Sequence, residues 1–245
     1  MEKARHSLEK YREEILKCTG CGFCQAACPV FGATLRPAFN TRGKMLILKE
    51  IMEGRIAFSR ELAETFYACT TCQACTYSCP RHIEASEIVE GVREGLYAAG
   101  FSPEELSAIR DNICRTGNIY AADEEDRIQG YPPLLRESVQ RGKLKAKGET
   151  LVFMGCLPGY LDMKTVPSLV KILEAGDVDY ITLATEEICC GLPLSLMGSG
   201  GFGPHARNLM EKIGATGARE LVTPCAGCYR TFSQLYPCLL YTSPS

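Results

Sequence analysis

The sequence predicts a two-part chain of class α + α/β: an all-α domain followed by a small α/β layer. Three observations predict it. Apolar residues up to about position 129 recur at helical spacing. From Thr150 on, short apolar runs alternate with helical ones, the pattern of a parallel strand–helix layer. Of the fifteen cysteines, thirteen fall into two kinds of set: a duplicated run of four in the first part and a dispersed group of five in the second. The expected boundaries are a helical domain over 1–129, a linker over 130–148 and a cysteine-rich α/β domain over 149–245. The linker is read from Pro132-Pro133 and from the basic residues Arg136, Arg141, Lys143, Lys145 and Lys147.

In the first part, Leu8, Tyr11, Ile15 and Leu16 give a helix from about Ser7 to Lys17. Met45, Leu48, Ile51 and Met52 line a second helix, stopped by Gly54. Ser59 can cap a third that carries Leu62, Phe66 and Tyr67. Ile88, Val89, Val92 and Leu96 give a fourth, ending at Gly100. Ser102-Pro103-Glu104-Glu105 reads as a capping box opening a fifth, with Ile109 and Ile113 inward. Cys114 in that helix has no motif partner and reads as a small apolar core residue.

Between these helices stands Cys18-Thr19-Gly20-Cys21-Gly22-Phe23-Cys24-Gln25-Ala26-Ala27-Cys28-Pro29. It returns as Cys69-Thr70-Thr71-Cys72-Gln73-Ala74-Cys75-Thr76-Tyr77-Ser78-Cys79-Pro80. This is the ferredoxin spacing for cubane [4Fe–4S] clusters, in which the fourth cysteine of each run ligates the other cluster. Three thiolates on one short loop can cap three corners of a cube, and the far corner must be reached from elsewhere. The expected sets are therefore Cys18, Cys21, Cys24 and Cys79 for one cluster, and Cys69, Cys72, Cys75 and Cys28 for the other. Structural zinc usually takes two separated pairs in a tetrahedron, which suits three closely packed cysteines poorly. The helical connection between the runs points to an all-α two-cluster domain. Arg42 and Lys44 can offset cluster charge or be the solvated start of a helix. His82 can face a cluster or be surface.

In the second part, Leu151 to Met154, Tyr180 to Leu183 and Glu220 to Thr223 read as strands. Helices follow with Val166, Leu169, Val170 and Leu173 up to Gly176, and from about His205 to Ile213. Cys156, Cys189, Cys190, Cys225 and Cys228 all lie just after predicted strands. The carboxyl ends of parallel strands share one edge, where sites form. These five can hold an iron–sulfur cluster, a four-cysteine zinc ion with one spare thiol, or a redox disulfide. The glycine-rich loop from Met197 to Pro204 is expected to bring backbone close to them. Its Gly198-x-Gly200-x-x-Gly203 imitates a dinucleotide fingerprint, but Glu220 begins a strand where the fingerprint's acid ends one.

The charge balance excludes a nucleic-acid surface. The formal net charge is −2 with neutral cysteines, and two cubanes at about −2 each take it to about −6, against the basic face such a surface needs. Met1 to Lys17 has no apolar signal core. The most apolar run, Met45-Leu46-Ile47-Leu48, is cut by Lys49 and Glu50, so no transmembrane segment is expected. So many thiols imply metal and a reducing compartment, the cytoplasm, with a peripheral place at the inner membrane face if a partner sits there.

At Cys189-Cys190-Gly191 and Pro224-Cys225-Ala226-Gly227-Cys228-Tyr229-Arg230 the chain resembles the heterodisulfide reductase D-type proteins. It is also similar to the iron–sulfur subunits of glycolate oxidase and anaerobic glycerol-3-phosphate dehydrogenase. The resemblance implies a cysteine-rich "CCG" domain with Cys156, Cys189, Cys190, Cys225 and Cys228 as ligands of a third, noncubane cluster. It implies an electron-transfer subunit that wires a flavoprotein dehydrogenase or other redox partner, and a membrane quinone or cytochrome subunit, to that site. Alternatives are a catalytic disulfide reductase and a zinc-held assembly module. The family carries two CCG motifs and this chain one, so the expectation is that the sequence is truncated.

Overall fold

The computed structural model describes residues 8–141, 145 and 147–242. The chain forms two compact units. One comprises Met1–Ser107 with Leu194–Gly200, the other Ala108–Pro193 with Gly201–Ser245.

The first unit is all helical. Helices α1 (Arg12–Leu16), α2 (Phe23–Ala27), α3 (Pro29–Thr34), α4 (Thr41–Met52), α5 (Arg60–Tyr67), α6 (Ala74–Tyr77) and α7 (Ala85–Ala98) follow one another, with a 3-10 turn at Pro37–Phe39. Leu8, Ile15, Met45, Leu48, Phe66, Ile88 and Leu96 are buried in one core, against which Cys18, Cys69, Cys75 and Cys79 pack. Ile15 is buried, but Leu16 beside it is 51% exposed. One step along a helix turns a side chain by about 100°, so the expected apolar stripe is narrower than read. The Ser59 hydroxyl accepts from Leu62 N at 3.2 Å, the predicted cap; Asn40 caps α4 by accepting from Gly43 N at 2.9 Å.

The two cysteine loops repeat their backbone as well as their sequence. Gly20 and Gly22 stand at φ 74° and 90°, and their counterparts Thr71 and Gln73 stand at 51° and 64°. Each copy thus visits the left-handed region twice, with glycine in the first run and bulky residues in the second.

The second unit begins inside α8 (Glu104–Thr116), continues through α9 (Pro133–Gln140) and reaches a three-stranded parallel sheet. Its strands are β1 (Thr150–Val152), β2 (Tyr180–Ile181) and β3 (Glu220–Val222), in the order β2-β1-β3. Thr150 pairs with both Tyr180 and Glu220. Helices α10 (Cys156–Tyr160), α11 (Thr165–Ala175), α12 (Leu192–Leu196), α13 (Phe202–Ala215), α14 (Ala226–Arg230) and α15 (Tyr236–Thr242) follow in this half of the sequence. Val152, Met154, Val166 and Val170 form one core with Ile128 and Tyr131. Phe153, Ala206, Leu209 and Tyr236 form another with Cys190 and Cys228.

Three expectations change. The compact second unit starts at Ala108, well before the composition shift, because Asn118 and Arg127 are wholly buried within it. Part of the expected linker is the helix α9, whose Leu135 and Val139 pack on the Ile128 core; positions 142–144 and 146 of that linker, and 243–245 of the tail, lie outside the described residues. Cys114 is exposed, not core: its neighbour Ile113 takes the inward position.

The start of α4 has no room for a side chain at Gly43. A Cβ there would stand 2.1 Å from the Pro37 carbonyl oxygen. We predict that Gly43→Ala destabilises the protein by roughly 1–3 kcal/mol, the usual cost of overpacking, read as a lower thermal midpoint. Gly214→Ala in α13, where nothing stands within 4 Å of the added carbon, should hold or raise that midpoint.

Candidate metal centres

Within the first unit the eight run cysteines surround two hollows. One is lined by Cys28, Cys69, Cys72 and Cys75, together with Phe39, Thr41, Lys44 and Thr71. The other is lined by Cys18, Cys21, Cys24 and Cys79, together with Phe23, Arg42 and Arg81; Cys75 borders it too. They enclose similar space, about 420 and 390 Å³ counted to their open mouths. Each wall has one exposed cysteine, Cys72 and Cys21, and three half-buried ones.

Local sequence explains the placement. Each run closes with Cys-Pro. Pro29 opens α3, where the missing N–H costs nothing, and Cys28 caps that helix, its sulfur accepting from Phe31 N at 3.4 Å. Burial raises the thiol pKa of Cys24 and Cys75, against backbone and hydroxyl donors from Arg42 and Thr41 respectively. Desolvated thiols of this kind ionise when a cation arrives to take the thiolate. A four-thiol wall with an open mouth, ringed by cations, fits a thiolate-ligated anionic cluster. His82 is exposed and is not among the residues lining this wall.

Cations distinguish the two walls. Lys44 is 2% exposed and donates to the Phe39 carbonyl, so it is not a solvated helix start. Arg93, 4% exposed, donates to the carbonyls of Phe66 (2.9 Å), Tyr67 (3.3 Å), Cys69 (2.5 Å) and Leu196 (2.9 Å). Arg42 is exposed beside the other wall, where Lys49, half-buried, donates to the Cys18 carbonyl at 2.7 Å.

The second unit brings all five remaining motif cysteines together. Their sulfurs neighbour one another in the order Cys156, Cys189, Cys190, Cys228, Cys225, each shifting the acidity of the next. Acidity alternates along the line, because a thiolate is favoured where a neighbouring S–H faces it and the thiol form is favoured where a neighbouring thiolate does. The Cys189 and Cys228 thiols, each set between two neighbouring sulfurs, are pushed well up. Cys190, accepting from Cys189 and Cys228, is drawn down to about 3. Cys225, accepting from Cys228, falls to about 6. Cys156, bonded to Cys189, is also lowered. All but Cys225 are buried.

Three features fit this line to a thiolate-held metal. Gly155, at φ 82°, leaves a gap that a Cβ would fill 3.2 Å from the Cys228 sulfur. The Arg127 guanidinium, fully buried, lies near enough to lower Cys156. Its Nε and Nη2 have no hydrogen-bond partner among the described residues, leaving two donors for an anionic group. Among the described residues, no three of the His, Cys, Asp and Glu side chains are arranged to hold a single ion.

Sequence reasoning missed the residues that hold the line in place. Glu187 accepts from Met154 N (2.9 Å), Gly155 N (2.8 Å) and Arg127 Nη1 (2.6 Å). It thereby pins the turn carrying Cys156 to the segment carrying Cys189. Burial pushes its carboxyl upward, against Arg127 and both N–H donors. Gly117 O accepts from Cys189 N at 2.6 Å, in a loop tied by Asn118, whose amide oxygen accepts from Tyr120 N and Ala122 N. His205 Nε2 meets the Cys189 carbonyl at 2.6 Å, and the Tyr236 hydroxyl donates to the Cys190 carbonyl at 3.2 Å. Glu187, two residues before the cysteine pair, was the one legible signal. The glycine-rich loop is divided: from Gly201 on it belongs to the second unit, where Phe202 lies against Gly191 next to the cysteine pair. Gly198 packs in the first unit, where an added Cβ would stand 2.4 Å from Glu94 N.

Comparison with known proteins agrees with this geometry. Residues 14–83 match the 4Fe-4S dicluster domain, and residues 150–233 match the cysteine-rich domain. The chain joins these two domains. It is 27% identical over 247 residues to the D-type component of the dihydromethanophenazine:CoB–CoM heterodisulfide reductase of Methanosarcina barkeri, covering 93% of this chain and 59% of that one. It is 24% identical over 262 residues to the EtfAB:quinone oxidoreductase of Syntrophomonas wolfei, covering 90% and 36%. It is 22% identical over 256 residues to a probable glycolate oxidase iron–sulfur subunit of Bacillus subtilis, covering 88% and 57%. The chain thus spans about three fifths of the heterodisulfide reductase relatives it matches. No solved structure matches it. Among the described residues no helix is long and apolar enough to cross a membrane.

We predict that Glu187→Gln costs about 3–5 kcal/mol, because it leaves the Arg127 charge buried without its counter-charge. A urea midpoint measures this. Replacing both residues by methionine should recover part of the loss, since no charge is then stranded.

Proposed function

We propose that the chain is an iron–sulfur electron-transfer subunit of an anaerobic-type oxidoreductase, with two [4Fe–4S] cubanes and a third metal site at the five-cysteine line. The observation that carries this is the composition of the two hollows. Each is lined by three cysteines of one run and by the last cysteine of the other, Cys28 or Cys79, with Cys75 bordering the second hollow too, which suits the crossed ligand exchange of two-cluster proteins. Cys18, Cys21, Cys24 and Cys79 hold one cluster, and Cys69, Cys72, Cys75 and Cys28 the other. Bound there, the clusters supply one-electron transfer. The protein's own part is to hold the thiolates in register, to keep water from the buried sides and to set the local charge.

Cys156, Cys189, Cys190, Cys225 and Cys228 hold the third group. A noncubane iron–sulfur cluster suits five sulfurs in one line better than zinc, which takes four ligands and strands a buried thiol. The names of the relatives support a flavoprotein or other redox subunit as partner, and a quinone as a further one. A second reading, disulfide reduction at the five-cysteine line, is favoured by the heterodisulfide reductase relatives.

We predict about twelve irons per anaerobically reconstituted chain, about eight from the two cubanes and four from the third site. Metal and acid-labile sulfide analysis measures this. About eight irons with one zinc, lost on Cys225→Ser, would replace the redox reading of the five-cysteine site with an assembly role. We further predict that Cys28→Ser alters the spectrum of the cluster held by Cys69, Cys72 and Cys75. Low-temperature paramagnetic resonance reads this against Cys72→Ser, and a Cys28→Ser spectrum that instead matches that of Cys21→Ser defeats the crossed assignment.

A further inference from the structure

The two hollows are alike in size and in having one exposed cysteine each, and Cys75 borders both. They differ in where their cations sit. The wall of Cys28, Cys69, Cys72 and Cys75 faces the ammonium of Lys44, 2% exposed, and lies beside the guanidinium of Arg93, 4% exposed. Burial lowers the pKa of both cations, opposed by Cys69 at Arg93 and by Cys69, Cys28 and Cys75 at Lys44. Glu90, an acid that acts on Arg93, is half-buried. The wall of Cys18, Cys21, Cys24 and Cys79 has Arg42 and Arg81, both exposed, and Lys49, half-buried.

Position decides how much these charges count. A charge in water is screened by a dielectric of about 80, while one inside the protein acts through an effective value of about 20, so at equal distance it counts roughly four times more. Mobile salt weakens exposed charges further. The reduced form of a cluster is more negative by one electron, so a nearby buried cation stabilises it relative to the oxidised form, and reduction potential rises with local positive charge and with hydrogen bonds to sulfur. The sulfur bonds do not reverse the ordering: Cys28 accepts from Phe31 N at 3.4 Å.

We infer that Lys44, seconded by Arg93, makes the cluster site of Cys28, Cys69, Cys72 and Cys75 the higher-potential one, so that within the first unit electrons run downhill from the Cys18, Cys21, Cys24 and Cys79 site to it. The inference rests on the two-cubane reading. Lys44 is a positioning residue for charge. It carries no proton in the process, and its fixed positive charge is what matters. Arg93 adds to the charge but also ties four carbonyls together, so Lys44 is the clean probe.

The experiment is an equilibrium redox titration of the reconstituted full chain, followed by paramagnetic resonance, with iron counted in every sample. Cys28→Ser and Cys21→Ser mark which wave belongs to which site. The wild-type protein should reduce in two separable steps, the higher-potential one being the wave that Cys28→Ser disturbs. Lys44→Gln should move that wave to lower potential and leave the other in place, and Lys44→Arg, which keeps the charge, should restore it. A higher wave marked by Cys21→Ser, or a Lys44→Gln titration that moves neither wave, overturns the inference. If Lys44→Gln fails to load, the wild-type ordering still decides. Failure of the two-cubane reading looks different: the wild-type chain would then hold no pair of cubane signals, whatever stands at position 44.

Discussion

A carboxylate with no access to water must be answered by donors around it, and Glu187 is answered on three sides. It meets Arg127 at 2.6 Å with both side chains fully enclosed, and it takes the N–H groups of Met154 and Gly155. Those two amides belong to the turn that leaves β1, and Glu187 itself sits on the approach to Cys189. A third segment joins through Arg127, which also donates to the Gly155 carbonyl at 3.1 Å and lies 4.7 Å over the Tyr160 ring. Three stretches far apart in sequence are thereby fixed at one point, and the sulfur line hangs from it. A buried ion pair is a poor source of net stability compared with apolar packing. Its value here is geometric: it sets where the cysteine-bearing turns stand.

The first unit solves a related problem with carbonyls. Helix α5 ends just before Cys69, and the last carbonyls of a helix lack intrahelical partners. Arg93 supplies donors to those of Phe66 and Tyr67 and to that of Cys69. The same guanidinium reaches Leu196, and the Tyr67 hydroxyl donates to Met197 O at 3.1 Å. Burial of this cation is thus offset by hydrogen bonds. Both units hold their cysteines through buried arginines belonging to helical segments remote from the motifs.

Much of this was legible in the sequence. The duplicated run announced a two-cluster helical domain, because chelate spacing is a local property of the chain. The strand–helix alternation after Thr150 announced a parallel sheet, and the strand ends gathered the five cysteines. What was hidden is what depends on tertiary burial. Nothing local distinguishes Lys44, which is enclosed, from Arg42, which is exposed two residues earlier on the same helix. Arg127 stands directly after the acidic run Asp123 to Asp126 and reads as surface, yet it is the most deeply placed cation of the second unit. Composition placed the boundary near Gly130, because the basic, proline-rich stretch beyond it resembles a connector. Packing places it near Ala108, because Asn118 and Arg127 serve the second core.

The left-handed residues of the two cysteine loops have a further meaning. Gly20 and Gly22 adopt positive φ without penalty, whereas Thr71 and Gln73 do so at a cost on the order of 1 kcal/mol each, and more for the β-branched threonine. The first loop therefore takes up its native shape without steric strain. The second is held in its shape by its surroundings, Thr71 being 9% exposed. The repeat is symmetric in outline and asymmetric in temper: one half is a template the chain can form early, and the other keeps its form only inside a finished fold.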